Sequence, residues 1–255
     1  MSNPIVLRNL RLLAPSFDEP RGGYEALIEG ERIREVSPGP IRTSAQTVNC
    51  GGRVVMPGLI DCHVHCMHSE VHMRRMEDVP LTLSAARGAK RMRQMLDRGF
   101  TTVRDTGGTD WGMKHAVESG LLVGPRLFIA GRSFGASGVH SDGRSRTNPG
   151  YACPCCNGVA YLRVVADGED AVRRVVREQM RQGADHIKIM VSGGVASPYD
   201  PLDSLLFSIG EIAAAVEEAE AFGRYVCAHA YSAEAIRRAV SHGVRTIEHG
   251  NFIAE

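Results

Sequence analysis

Residues 233–249 read Ala-Glu-Ala-Ile-Arg-Arg-Ala-Val-Ser-His-Gly-Val-Arg-Thr-Ile-Glu-His and contain the unit that predicts the fold. A helical stretch ends at Gly243, and a short apolar run then ends at His249. Glycine is expected just past a helix because it enters the left-handed backbone conformation freely. The same order of helix, glycine and strand recurs in residues 91–105, 171–191 and 211–229.

Helices that alternate with short buried strands predict parallel β/α units. Six strands are predicted, near residues 59–65, 101–105, 126–130, 186–191, 225–229 and 246–249. Candidate ligand residues, described below, lie on at least four of these strands and have to converge on one point. A barrel achieves this at the C-terminal ends of its strands, whereas an open sheet does so only at its switch point. We therefore predict an α/β fold of the (β/α)8 TIM-barrel type.

The length of the chain bears on this barrel. A (β/α)8 barrel usually takes about 250 residues by itself, whereas the predicted barrel begins near residue 59 of a 255-residue chain. We expect residues 59–255 to form a barrel that is incomplete at its C-terminus, after the sixth strand. Because an unclosed parallel barrel exposes strand edges, either a longer chain or a partner chain is expected to complete it, and a homo-oligomer is expected.

Residues 1–58 have a different pattern. Short apolar runs at residues 5–7, 26–28, 33–36 and 54–56 are separated by turns rich in Gly, Pro and Asp. This pattern predicts a small antiparallel β module, part of a β-sandwich, that precedes the barrel.

A segment rich in Gly, Ser, Asn, Pro and Cys spans residues 135–160, between the third and fourth predicted strands. Loops of this length in compact domains are usually functional. The segment contains Cys153, Cys155 and Cys156, which either belong to a structural zinc site or lie in a loop that packs over the active site.

The composition excludes several classes of function. The net charge of +1 and the 5% of aromatic residues offer no basis for nucleic-acid or anionic-membrane binding. No apolar run approaches the roughly 20 residues of a membrane span, and the N-terminus lacks the pattern of a signal peptide. Seven cysteines, mostly single, do not form a secreted disulfide framework. We expect a cytoplasmic protein that acts on a small molecule.

The strongest chemical signal is Pro57-Gly-Leu-Ile-Asp-Cys-His-Val-His65. Residues two apart in a strand point to the same face, so His63 and His65 can bind one metal ion through their imidazole nitrogens. A His-x-His sequence also occurs by chance. His229 and His249 strengthen the metal interpretation because each ends a strand in a repeat of the same type.

Lys188 lies within the strand Ile187-Lys-Ile-Met-Val191. A free cation that faced the core would be costly there. Either the side chain extends to the strand end and reaches water, or its amine has reacted with carbon dioxide. The resulting carbamate is an anionic oxygen ligand that can bridge two cations.

Together these residues resemble the amidohydrolase superfamily, in its two-metal subtype with a carboxylated lysine. The resemblance implies two divalent metal ions, with zinc expected, although Mn, Co or Ni would also suit these ligands. It implies that His63 and His65 hold one metal, that His229 and His249 hold the other, and that a carbamate on Lys188 contacts both. The superfamily also places an Asp after its eighth strand. No residue of this chain is assigned to that position. Asp105 and Asp110 are not assigned to it, because they follow the second predicted strand.

Three further stretches resemble the imidazolonepropionase-like branch and its Xaa-Pro dipeptidase group: residues 192–201, 229–232 and 247–251. The resemblance implies cleavage of the amide bond of dipeptides or N-acyl amino acids that end in a free carboxylate. It implies that Tyr231 helps to bind the substrate and that His140 contacts the reacting carbonyl. Arg144 either pairs with the substrate carboxylate or is a solvated loop residue.

Two alternatives stay open at this point. The same metals could cleave a carbamate, lactam, ester or phosphoester, because barrel enzymes change substrate by changing loops. The chain could also be a non-catalytic relative that lacks the final Asp.

Overall fold

The computed structural model describes residues 3–70, 73–76, 79–140, 142, 162–197 and 200–253. The chain divides into two compact units, Met1–Gly58 and Leu59–Glu255. Within the described part of the chain, no helix has the length and apolar composition of a membrane span.

The first unit is a five-stranded sheet. Its strands are β1 (Ile5–Leu12), β2 (Arg21–Glu29), β3 (Arg32–Pro38), β4 (Gln46–Asn49) and β5 (Val54–Val55). β1, β2 and β3 pair antiparallel, but β4 and β5 run parallel to β1. The expectation of a wholly antiparallel module was therefore wrong. After β3 the chain crosses to the opposite edge of β1, and a crossover brings the next strand in parallel.

The second unit alternates strands and helices. Its strands are β6 (Leu59–Val64), β7 (Phe100–Asp105), β8 (Arg126–Ile129), β9 (Ser133–Gly135), β10 (Arg163–Val165), β11 (Ile187–Met190), β12 (Val226–Ser232) and β13 (Thr246–Phe252). Its α-helices are α1 (Leu81–Asp97), α2 (Trp111–Glu118), α3 (Glu169–Arg181), α4 (Ile209–Ala221) and α5 (Ala233–Ser241), and a short 3-10 helix spans Met73–Met76.

All strands of the second unit pair in parallel. One sheet has the order β6-β7-β8 and the other the order β10-β9-β11-β12-β13. The amide N–H of Asp185, just before β11, donates to the carbonyl of Ile129 at the end of β8. The predicted α/β class with parallel strands is confirmed, and closure into a (β/α)8 barrel stays a prediction.

The six predicted strands are all present, and β9 and β10 were not predicted. These two short strands flank the segment of residues 135–160, most of which lies outside the described residues. They escaped prediction because each has only three residues, too few for a periodic pattern.

The helix ends follow the glycine pattern. Gly99, Gly183, Gly223 and Gly243 follow α1, α3, α4 and α5 and have φ angles of 93°, 86°, 66° and 88°. This is the left-handed region that other residues enter only at a cost.

α2 was not predicted, and it begins after Asp110, whose carboxylate accepts from the N–H of Met113. Asp110 is therefore a helix cap.

Buried apolar residues hold the helices against the strands in two clusters. One cluster joins β9 and β11–β13 to α3, α4 and α5, with Phe134, Ile189 and Ala228 fully buried. The other joins β6–β8 to α1 and α2, with Met92 and Val103 fully buried. This packing fixes the carboxyl ends of the strands, where polar side chains gather.

Candidate active site at the carboxyl ends of the strands

The four predicted histidine ligands form a continuous chain of ring contacts. His65 lies 5.3 Å from His63 between ring centroids, His63 lies 4.8 Å from His249, and His249 lies 4.6 Å from His229. His63 lies on β6 and His65 directly follows it, whereas His229 lies on β12 and His249 on β13. Tertiary folding thus brings together side chains that are up to 186 positions apart in sequence.

Lys188 lies on β11 and is only 1% exposed. It is paired in register with Cys227 of β12. Burial lowers the pKa of the Lys188 amine, and among the described residues no carboxylate forms an ion pair with it. Both features favour the neutral amine, which is the form that can react with carbon dioxide.

Hydrogen bonds to one nitrogen orient three of the four imidazoles. His63 Nδ1 lies 2.8 Å from a carboxylate oxygen of Glu248, and His65 Nδ1 lies 2.9 Å from the carbonyl oxygen of Gly107. His229 Nε2 lies 2.9 Å from the carbonyl oxygen of Gly193. Because these oxygens only accept, each ring donates there, and in the neutral form of each ring the lone pair lies on the other nitrogen.

Burial favours the neutral form of three of the four imidazoles, those of His65, His229 and His249. Burial lowers the pKa of His65 well below its ordinary value and that of His229 to about 2. Partial burial, with the nearby His63, lowers the pKa of His249 to about 4. Neutral imidazole is the form that binds a metal ion, so at neutral pH no proton has to leave these rings first.

His140 and Tyr231, the predicted substrate residues, lie against the histidines. The His140 ring stacks on His229 with centroids 4.5 Å apart, and Tyr231 stacks on His249 at 5.1 Å. Burial lowers the pKa of His140 to about 4. The predicted Arg144 and the cysteines Cys153, Cys155 and Cys156 lie outside the described residues.

Gly194 shows how tightly the loop after β11 packs on this site. A Cβ atom at Gly194 would overlap the imidazole ring of His140. The glycine is therefore needed for close approach of the backbone to the His140 ring, and not for an unusual φ angle.

His68 lies beside the site and was missed from the sequence. Its ring stacks on His65 with centroids 4.4 Å apart and planes 11° apart, and burial lowers its pKa to about 4. The guanidinium of Arg91 fixes the backbone of residues 65–68 by donating to the carbonyls of His65, Cys66 and His68 at 3.0, 3.0 and 2.6 Å. The spacing His63-x-His65-x-x-His68 was the available signal.

Asp105, at the end of β7, is fully buried and joins two loops. Its carboxylate accepts from the N–H groups of Cys66 and Gly107 at 2.6 and 3.0 Å and from the hydroxyl of Thr109 at 2.6 Å. Burial raises the pKa of Asp105 in spite of these hydrogen bonds. The carboxylate thereby holds Gly107, whose carbonyl orients His65, so its role is structural.

The donor set fits two metal ions only when the lysine contributes. Among the described residues, no three His, Cys, Asp or Glu side chains are arranged to hold a metal ion by themselves. The predicted arrangement does not require such a trio, because His63 and His65 would hold one metal, His229 and His249 the other, and a carbamate on Lys188 would be a ligand of both. Four imidazoles in ring contact and a buried lysine without a carboxylate partner among the described residues fit that group.

Comparison with known proteins decides the family. Residues 54–255 match the family model described as the amidohydrolase family. The chain belongs to the amidohydrolase family. It is 33% identical to an ochratoxinase from Aspergillus niger over 220 residues, which cover 79% of this chain and 44% of that relative.

Two solved structures are also similar to this chain. A prolidase complexed with N-methylphosphonate-L-proline is 44% identical, with a TM-score of 0.94 over 98% of this chain and 62% of that one. A Xaa-Pro dipeptidase with methionine bound in its active site is 28% identical, with a TM-score of 0.84 over 98% and 62%. The predicted superfamily and its Xaa-Pro dipeptidase-like branch are thus confirmed. The chain therefore covers 44% of the length of the ochratoxinase and 62% of the length of each of these two solved chains.

Proposed function

We propose that the protein is a metal-dependent amidohydrolase that cleaves the amide bond of small substrates bearing a free carboxylate, such as dipeptides or N-acyl amino acids. One observation carries the proposal: four imidazoles in ring contact lie at the carboxyl ends of parallel strands, with a lysine buried on a neighbouring strand. The prolidase and Xaa-Pro dipeptidase relatives support an amide substrate of this kind.

In this proposal His63 and His65 hold one divalent metal ion and His229 and His249 hold a second, with zinc the expected metal. When bound, such a pair lowers the pKa of a bridging water and polarises a carbonyl group. Lys188 joins the ligands after its neutral amine adds to carbon dioxide. A nitrogen–carbon bond forms, one proton leaves the nitrogen for solvent, and the resulting carbamate is an anionic oxygen ligand.

His140 and Tyr231 are proposed to handle the substrate. His140 Nδ1 is buried and, within the described part of the chain, has no hydrogen-bond partner. In this proposal the His140 ring, which stacks on His229, contacts the reacting carbonyl of the substrate. The Tyr231 phenol, which stacks on His249, can donate to a carboxylate oxygen. Arg144 is proposed as a second partner of that carboxylate, and a cytoplasmic location and a homo-oligomer stay predictions.

The test combines metal content with hydrolysis. The purified protein, prepared with bicarbonate, should hold about two metal ions per chain and release amino acids from N-acetyl amino acids or dipeptides but not from their C-terminal amides. His63→Asn should lose both activity and metal, whereas His115→Asn, an exposed histidine that stacks on Trp111, is the matched control.

Lys188→Ala tests the carbamate separately. We expect loss of activity with partial rescue by a short-chain carboxylate, which can supply the missing bridging oxygens. Full activity in His63→Asn or Lys188→Ala would refute the site. Absence of hydrolysis by the metal-loaded protein, with all carboxylate-bearing amides tried, would refute the proposed substrate class.

A further inference from the structure

Glu248 lies between a proposed metal ligand and a guanidinium inside the second unit. It is 5% exposed on β13. One carboxylate oxygen lies 2.8 Å from Nδ1 of His63, and the other lies 2.5 Å from a terminal nitrogen of Arg104 on β7. Both oxygens of this carboxylate are thus engaged by side chains from other strands.

Arg104 is itself fixed by three further contacts. Its Nε donates to the carbonyl of Cys62 at 2.7 Å, and Nη1 donates to the hydroxyls of Tyr225 and Thr246 at 3.3 and 3.1 Å. Because the guanidinium is planar and rigid, these contacts also set the orientation of the Glu248 carboxylate. The cluster links β6, β7 and β13 with the residue that precedes β12.

The backbone at His249 makes this arrangement possible. Successive residues of a strand point to opposite faces, yet Glu248 and His249 both contact His63. His249 has a φ angle of 73°, in the left-handed region. Such a conformation is strained for a residue other than glycine. The turn in the backbone brings two neighbouring side chains to one imidazole.

The chemistry of the cluster determines where the proton of His63 lies. A carboxylate beside a guanidinium is ionised and can only accept hydrogen bonds. His63 therefore donates from Nδ1, and in the neutral ring the lone pair then lies on Nε2. Without this acceptor the two neutral tautomers of His63 would compete, and the ring could rotate about its side-chain bonds.

We propose that Glu248 is a positioning residue for His63: its carboxylate, held by Arg104, fixes the imidazole in the Nδ1–H tautomer and so makes Nε2 the metal ligand. The tautomer follows from the contacts alone. The consequence for metal binding rests on the proposed function.

The test uses Glu248→Gln with Glu218→Gln as its matched control. Glu218 is also a buried glutamate, 7% exposed, and also pairs with arginines, Arg177 and Arg173, but on the outer helices. In the metal-free protein, nitrogen-15 NMR of His63 should show the Nδ1–H tautomer in wild type and in Glu218→Gln. Glu248→Gln should show a mixture, because an amide cannot accept from both His63 and Arg104 with the same geometry.

The second measurement is the dissociation constant for zinc, obtained by competition with a chelator. Loss of a hydrogen-bond partner behind a metal-binding histidine typically weakens binding about 10–100-fold, and we expect this for Glu248→Gln relative to Glu218→Gln. An unchanged tautomer together with an unchanged zinc affinity would overturn the proposal. If wild type binds no zinc, the proposed function fails, while the NMR result on metal-free protein still decides the role of Glu248.

A second variant covers the case in which Glu248→Gln does not fold. Arg104→Lys keeps the positive charge but loses the planar fork, and Arg177→Lys is its control at the outer pair. We expect mixed His63 tautomers and weaker zinc binding only for Arg104→Lys. Wild-type tautomer and affinity in Arg104→Lys would contradict the role of the cluster.

Discussion

Two clusters of glutamate and arginine in the second unit have the same chemistry and different surroundings. Glu248, inside the unit, accepts from Arg104 and from the His63 imidazole. Glu218, on α4, accepts from Arg177 at 2.6 and 2.8 Å and from Arg173 at 3.2 Å, both on α3. Both glutamates are nearly buried. Burial and an arginine partner therefore do not distinguish the two roles. The second partner of each glutamate does, since Arg173 lies on a helix whereas His63 is an imidazole that the carboxylate orients.

The largest loss of stability is expected when a carboxylate is removed from the interior at Asp105, and it should far exceed the loss at Glu218 between the outer helices. Asp105→Ala leaves buried N–H groups of Cys66 and Gly107 and the Thr109 hydroxyl without their acceptor. We expect a loss of about 3–5 kcal/mol in the free energy of unfolding, measured by urea titration. Glu218→Ala, with arginines that can turn to water, should lose far less. Equal losses of unfolding free energy in Asp105→Ala and Glu218→Ala would contradict this difference between the interior and the outer helices.

The interior site and the outer helices should also differ in how well they accommodate an added methyl group. Gly194→Ala would drive a methyl group into the His140 ring, whereas Gly210→Ala on α4 meets the flexible carboxylate of Glu169. We expect Gly194→Ala to cost about 1–3 kcal/mol of stability and to lower kcat/KM. Gly210→Ala should be neutral or slightly stabilising, because alanine favours a helix. A well-folded, fully active Gly194→Ala protein would show that the loop has room to move.

The pH dependence of stability should separate interior histidines from outer glutamates. Burial lowers the pKa of His186 from 6.5 to about 3, so the unfolded state binds a proton that the folded state does not. The free energy of unfolding of metal-free protein should therefore fall as the pH drops from 6.5 towards 3, by roughly 1.4 kcal/mol per pH unit for each such histidine. His186→Phe should remove one histidine's share of this slope, as measured by urea titrations at several pH values.

Glu218 should act in a lower pH window. Its hydrogen bonds from Arg177 lower the pKa of Glu218 below 4.5, so its contribution is present above pH 4.5 and is lost as the pH falls below that value. A wild-type stability that stays constant between pH 6.5 and 4.5 would contradict the histidine prediction while leaving this one intact.

The smallest effect is expected for Glu218→Gln at neutral pH. Arg177 is largely exposed, and ion pairs with an exposed partner contribute about 0.2–1 kcal/mol. The loss should shrink further in high salt. A salt-independent loss of several kcal/mol would mean that the outer cluster resembles the interior one after all.

Much of the fold followed from local patterns. The glycines after four helices and all six predicted strands are present. These features depend on neighbours in sequence, so they can be recognised without knowing the rest of the chain. The parallel pairing of β4 with β1 could not be recognised in this way, because apolar alternation does not reveal the direction of the partner strand.

In the candidate site, too, some features could be predicted from local sequence and others depend on tertiary packing. The sequence by itself identified the family and the residue types, because His63, His65, Lys188, His229 and His249 each occupy a recognisable place on a strand. Only the tertiary structure decided which imidazole nitrogen stays free, because the partners of these rings are set by packing. The Glu248 contacts with His63 and Arg104 span 185 and 144 positions of the chain. No local pattern encodes such contacts, since they exist only after strands from distant parts of the chain have aligned.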